Sequence, residues 1–122
     1  MAGNNHTPEA DVREIIADLR SILGAKLVAY LAGIHSTDLV RRWADGTGPL
    51  PDRAVLDRLQ VALTAARLIT ARDTPAVAQA WFQGRNPALG DQPPARLLRE
   101  TNPGMVRDIV LASAAEFTSH GG

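Results

Sequence analysis

The chain has 122 residues and a mass of 13.0 kDa. That is one domain, or two small helical modules sharing a core, and it argues against a multidomain enzyme. A hydrophobic fraction of 45% excludes wholesale disorder. Thirteen basic residues balance thirteen acidic ones, so bulk charge does not advertise a polyanionic partner.

The absence of cysteine removes disulfide, thiolate-zinc and cysteine-nucleophile chemistry, and suits a reducing cytoplasm. No run approaches the ~18 apolar residues of a membrane span. The start MAGNNHTPEADVRE has neither the basic nor the apolar region of a signal peptide, so the expectation is a soluble cytoplasmic chain with no membrane partner. Twenty alanines against five aromatic residues (Tyr30, Trp43, Trp81, Phe82, Phe117) lean the chain towards close-packed helices. Twelve of the thirteen cations are arginine, a bias most simply set by a GC-rich genome. Six of them (Arg41, Arg42, Arg53, Arg58, Arg67, Arg72) face four acids between residues 36 and 72, a mildly positive middle.

Three helix starts are marked by a capping residue followed by proline: Thr7-Pro8, Thr74-Pro75 and Asn102-Pro103. The first helix runs from Pro8 to Leu23, with Val12, Ile15, Ile16, Leu19, Ile22 and Leu23 in one stripe. After Gly24 come a short helix over Ala25–Ala32 and a turn at Gly33-Ile34-His35. Ser36 or Thr37 caps the next helix, which stops at Asp45-Gly46. The longest helix spans Asp52–Thr70, with Val55, Leu59, Ala62, Leu63, Ala66 and Ile69 inward. In the second half a helix over Pro75–Gln83 carries Trp81 and Phe82, and Gly84 reads as a left-handed stop. A loop over 85–92 is built on Asn86-Pro87 and Gly90-Asp91. A short helix over Pro93–Glu100 and a last helix over Pro103–Phe117 follow, the latter with Val106, Ile109, Val110 and Ala114 inward. Thr118–Gly122 is read as a frayed tail. Trp43 and Trp81 are both expected in the core. No strand pattern and no repeat appear.

Residues 25–44 carry helix-turn-helix spacing. Ala29 is the small residue at the crossing, Gly33 the turn glycine and Ile34 its apolar follower, while Leu39 and Trp43 face inward. Ser36, Thr37, Asp38, Val40, Arg41 and Arg42 then lie outward or at the start of the second helix, where DNA would be met. Arg41 or Arg42 could contact guanine or phosphate, and Ser36 or Thr37 could hold a phosphate at the helix N-terminus. The same spacing serves a tight hairpin that touches no DNA, and Asp38 is unfavourable beside phosphate.

The second half reads Ala80-Trp-Phe-Gln-Gly-Arg-Asn-Pro-Ala-Leu-Gly90, then Pro93-Pro-Ala-Arg-Leu-Leu98, then Thr101-Asn-Pro-Gly-Met-Val106. This resembles the toxin-binding domain of the Xre/MbcA/ParS antitoxin family: a Trp-apolar pair, Asn-x-x-Leu-Gly, a proline opening a Leu-rich helix, and Thr-x-x-Gly before the last helix. With the upstream spacing the resemblance covers about residues 10–117. Two positions depart from it. Asp91 stands where the family has a second glycine, and Pro93 precedes the expected Pro94.

The resemblance implies an all-α chain in which a helix-turn-helix region (8–72) packs with a three-helix toxin-binding-type module (73–122). It implies a homodimeric type II antitoxin that blocks a RES-domain, NAD-consuming toxin and represses its own operon by binding operator DNA. The toxin-facing end then corresponds to Arg107–His120, with Arg96 and Arg99 nearby. The expected contact residues are Arg96, Arg99, Arg107, Phe117, Thr118, Ser119 and His120. From the residues alone, the arginines could pair with a partner's acids and Phe117 could anchor it. Equally, Phe117 could close this chain's own core and the arginines stay solvated.

Enzyme readings are poor. His6, His35 and His120 are scattered, no His pair stands at i, i+4, and no phosphate loop, nucleophile elbow or dinucleotide fingerprint is present. No catalytic residue, metal or cofactor is expected. Two other functions stay open: a stand-alone homodimeric DNA-binding regulator without a toxin, and a protein-interaction module whose helix-turn-helix binds nothing.

Overall fold

The computed structural model describes residues 8–120, and among them the helices start and stop largely where local capping chemistry puts them. Seven α-helices run in order: α1 (Pro8–Leu23), α2 (Ala25–Ala32), α3 (Thr37–Asp45), α4 (Arg53–Thr70), α5 (Pro75–Gln83), α6 (Pro94–Glu100) and α7 (Pro103–His120). A 3-10 turn over Pro87–Leu89 lies between α5 and α6. The described chain is all-α. Its one β-type pairing is an isolated bridge between Asn86 and Gln92.

Side-chain caps open α3, α4 and α5. Ser36 Oγ accepts from the Leu39 N–H at 3.1 Å, Asp52 Oδ1 from the Val55 N–H at 3.0 Å, and Thr74 Oγ1 from the Val77 N–H at 3.2 Å. The expected Thr7 cap lies outside the described residues. At α6 the cap is Pro93, with Pro94 at the first helical position, so the helix begins one residue later than expected.

The core is a single cluster fed by every helix. α4 is its centre and packs against α1, α2, α5, α6 and, most extensively, α7. Because neighbours surround it, α4 buries Val61 and Ala65 besides the expected Leu59, Ala62, Leu63, Ala66 and Ile69. Trp43 and Trp81 are both buried, as expected. Trp43 enters the core from α3, which packs against α1 and α2, and Trp81 from α5, which packs against α1, α4 and α6; each ring supplies apolar area that alanine would not. An exposed ion pair, Arg67 Nη2 to Asp18 Oδ2 at 2.5 Å, and a half-buried bond from Gln79 Nε2 to the Ile22 carbonyl at 2.9 Å tie α1 to α4 and α5.

Three expectations are corrected. Gly84 is not a left-handed stop: its φ is −90° and its ψ 155°. Glycine serves there for room, because a Cβ would lie 3.2 Å from the Ala80 carbonyl oxygen. Ile109 points outward and is 47% exposed; the inward stripe of α7 is Val106, Val110, Ser113 and Ala114, with Phe117 half-buried at its end. Finally, α7 continues through Thr118 and Ser119 to His120, so the expected fray is helical as far as the described residues reach. Thr118 Oγ1 and Ser119 Oγ both donate back to the Ala115 carbonyl, at 2.8 and 3.1 Å.

Candidate binding surfaces

The first surface is the unit α2–turn–α3. Gly33 sits in the left-handed region at φ 77°, where a side chain is strained even though a Cβ would meet nothing closer than Arg58 Nη1 at 3.9 Å. Its N–H donates to the Tyr30 carbonyl at 3.0 Å, and the Ile34 N–H to the Ala29 carbonyl at 3.0 Å, closing the end of α2. Ala29 is buried at the crossing, as its size demands.

On α3 the exposed residues are Thr37, Asp38, Arg41, Arg42 and Asp45, and its N-cap Ser36 is exposed too. Val40 is not among them. It is completely buried, because α3 turns Val40 and Trp43, one turn apart, onto α1 and α2, with Leu39 half-buried at the edge. The charges of α3 satisfy one another: Asp38 pairs with Arg41 and, at 3.5 Å, with Arg42, and Arg41 reaches Asp45 at 3.7 Å. A phosphate would have to compete with these carboxylates, although exposed pairs of this kind are held by only about 0–1 kcal/mol.

Arg58 was not singled out by the sequence. From α4 its Nη1 donates to the Leu31 carbonyl at 2.9 Å, placing a positive charge at the C-terminal end of α2. Burial pulls the Arg58 pKa below the usual arginine value; Asp52 opposes that and Arg99 adds to it. Arg99 itself lies over the Tyr30 ring, 4.5 Å from its centroid. So α4 and α6 each hold α2 with an arginine. No local signal marks this, since the carbonyl Arg58 meets is 27 residues away.

The second surface is a groove of about 680 Å³ between α5, the 85–92 loop and α7. Val77, Ala80 and Trp81 form one wall, Phe117 and Ser113 the other, and Asn86–Ala88 its end. Asn86 organises the loop. Its Oδ1 accepts from the Ala88 N–H at 2.9 Å, and its Nδ2 donates to Ser113 Oγ at 2.9 Å across to α7. Its backbone carbonyl accepts from Leu89 and Asp91, both at 2.9 Å. Asp91 is the one non-glycine residue at positive φ among the described residues, at 63°. A glycine would take that conformation freely; aspartate is among the few residues that tolerate it.

The other expected contact residues do not converge on this groove. Arg96 Nε pairs with Glu100 at 3.3 Å, and Arg99 is spent on Tyr30. Arg107 pairs with Asp108 at 3.5 Å and lines a different depression, together with Gln60 and Thr64 of α4. Thr118 and Ser119 continue α7, while the His120 side chain lies outside the described residues. Among the described side chains of that set, only Phe117 lines the groove. Among the described residues no cluster of three His, Cys, Asp or Glu side chains is placed to hold a metal, and no helix is long and apolar enough to cross a membrane. No family model, curated protein or solved structure matches this chain.

Proposed function

We propose that the chain is the antitoxin of a type II toxin–antitoxin pair, and that it holds a RES-domain, NAD-consuming toxin with its second half and operator DNA with its first. The observation that carries the reading is the groove itself. Trp81, Gly84, Arg85, Asn86, Pro87 and Ala88, which belong to the motif behind the family resemblance, line one depression together with Phe117 of the last helix. An apolar recess with a half-buried aromatic wall and a rigid polar end is the form of a protein hot spot. The homodimer expected with this function has a candidate contact in Met105 and Ile109, one turn apart on α7 and 79% and 47% exposed.

The test is a pull-down from the native cytoplasm with the tagged chain, alongside Ala80→Arg, which places a guanidinium in the groove from an exposed position. The expected result is a stoichiometric RES-type partner whose NAD consumption stops on binding, with both lost in Ala80→Arg. A partner that binds Ala80→Arg equally well overturns the groove assignment.

A second reading, a stand-alone homodimeric DNA-binding regulator, is favoured by α3, which is capped by Ser36 and leaves Thr37 at its start and Arg41 and Arg42 further along exposed to solvent. α3 carries as many acids as arginines, so a single subunit offers few phosphate contacts. Specific binding then calls for a dimer on half-sites about 34 Å apart. Arg41→Ala is expected to lower operator affinity and reduce the salt slope by about one, while Asp38→Asn raises affinity. Operator binding unchanged in Arg41→Ala removes α3 as the reading helix.

A further inference from the structure

A second cavity, of about 500 Å³, lies on another side of α5 from the groove, where α2, the end of α5 and the start of α6 meet. Leu23, Leu27 and Phe82 make its apolar floor, and Tyr30 stands at its edge with one ring face already covered by Arg99. Its charged lining residues are Lys26 and Arg96; no carboxylate lines it. Arg96 Nε is engaged by Glu100 at 3.3 Å, whereas Lys26 makes no ion pair among the described residues. The volume is within the range of small-molecule sites, about 300–1,000 Å³. An apolar floor under a cationic rim selects one chemistry: an apolar body, which the floor desolvates, carrying a negative charge, which the rim receives.

We propose that this cavity is a binding site for a small organic anion with an aromatic or aliphatic body, such as an aryl carboxylate. It joins α2 of the first half to α5 and α6 of the second, and its Phe82 packs edge-on against Trp81, centroids 5.0 Å apart. Trp81 in turn lines the α5–α7 groove, so the pair is the wall between the two cavities.

The test is an NMR titration of the full chain with 2-naphthoate, and with neutral 2-naphthalenemethanol as the uncharged analogue. The expected result is saturable binding of one equivalent of 2-naphthoate, with the largest shifts at Leu23, Leu27, Tyr30 and Phe82 and affinity about fivefold or more above the alcohol's. Lys26→Glu exchanges an exposed side chain in the first turn of α2, where an acid suits the helix, so folding is spared. It is expected to weaken 2-naphthoate by about tenfold while leaving the alcohol unchanged. Shifts centred instead on Val77, Trp81 and Phe117, no saturation in the millimolar range, or equal binding by Lys26→Glu each overturn the proposal.

Discussion

The α2–turn–α3 unit and the α5–α7 groove are both surfaces, but they are built differently. On α3 the exposed charges are paired within their own helix, Arg41 and Arg42 with Asp38 and Arg41 also with Asp45, and Ser36 caps it by accepting from the Leu39 N–H. In the groove the polar end is long-range, Asn86 reaching Ser113 on α7, and Val77, Trp81 and Phe117 of its walls also close the core. The exposed charges of α3 are therefore free to change at little cost to the fold, whereas the groove is part of what folds the second half. A surface of the first kind tunes affinity by charge. One of the second kind offers a preformed shape, which lowers the ordering cost of binding a partner.

Four substitutions measure that contrast by chemical denaturation, in falling order of effect. Phe82→Ala removes the largest fully buried side chain and the wall shared by both cavities, and is expected to cost about 3–5 kcal/mol. Val40→Thr inserts a hydroxyl at the one position of α3 expected outward but found buried. A loss of about 1–3 kcal/mol is expected, and a change near zero would return Val40 to the surface. Asn86→Ala strands the Ala88 N–H and the buried Ser113 hydroxyl, costing about 1–2 kcal/mol. Arg41→Ala breaks only exposed ion pairs and is expected to stay within about 0.5 kcal/mol of the parent. If Asn86→Ala proved as mild as Arg41→Ala, the distinction between the two surfaces would fail.

Much of the fold was legible in the chain, because helix ends are decided by neighbours in sequence. Ser36, Asp52 and Thr74 cap by bonding an N–H three residues on, and Gly33 closes α2 through a backbone conformation that glycine adopts without strain. Periodicity likewise placed the stripe of α1, since one helix face meets one core. It failed at the boundaries of faces. On α3, Leu39, Val40 and Trp43 are all apolar, and on α7 so are Val106, Ile109 and Val110. Either neighbouring stripe satisfies the pattern, and only the direction from which another helix approaches selects Val40 and rejects Ile109.

Sequence by itself determined which segments are helical, that Trp43 and Trp81 are buried, and that Asn86 begins a turn; these depend on capping, periodicity and side-chain size, all properties of a few adjacent residues. Tertiary structure alone decided that Asn86 also bonds Ser113, that Arg58 and Arg99 hold α2, and that Lys26 and Arg96 share a cavity rim with no acid among its lining residues. Each of these joins residues far apart in the chain. What brings them together is the burial of α4 by five neighbouring helices, a collective packing that no local pattern encodes.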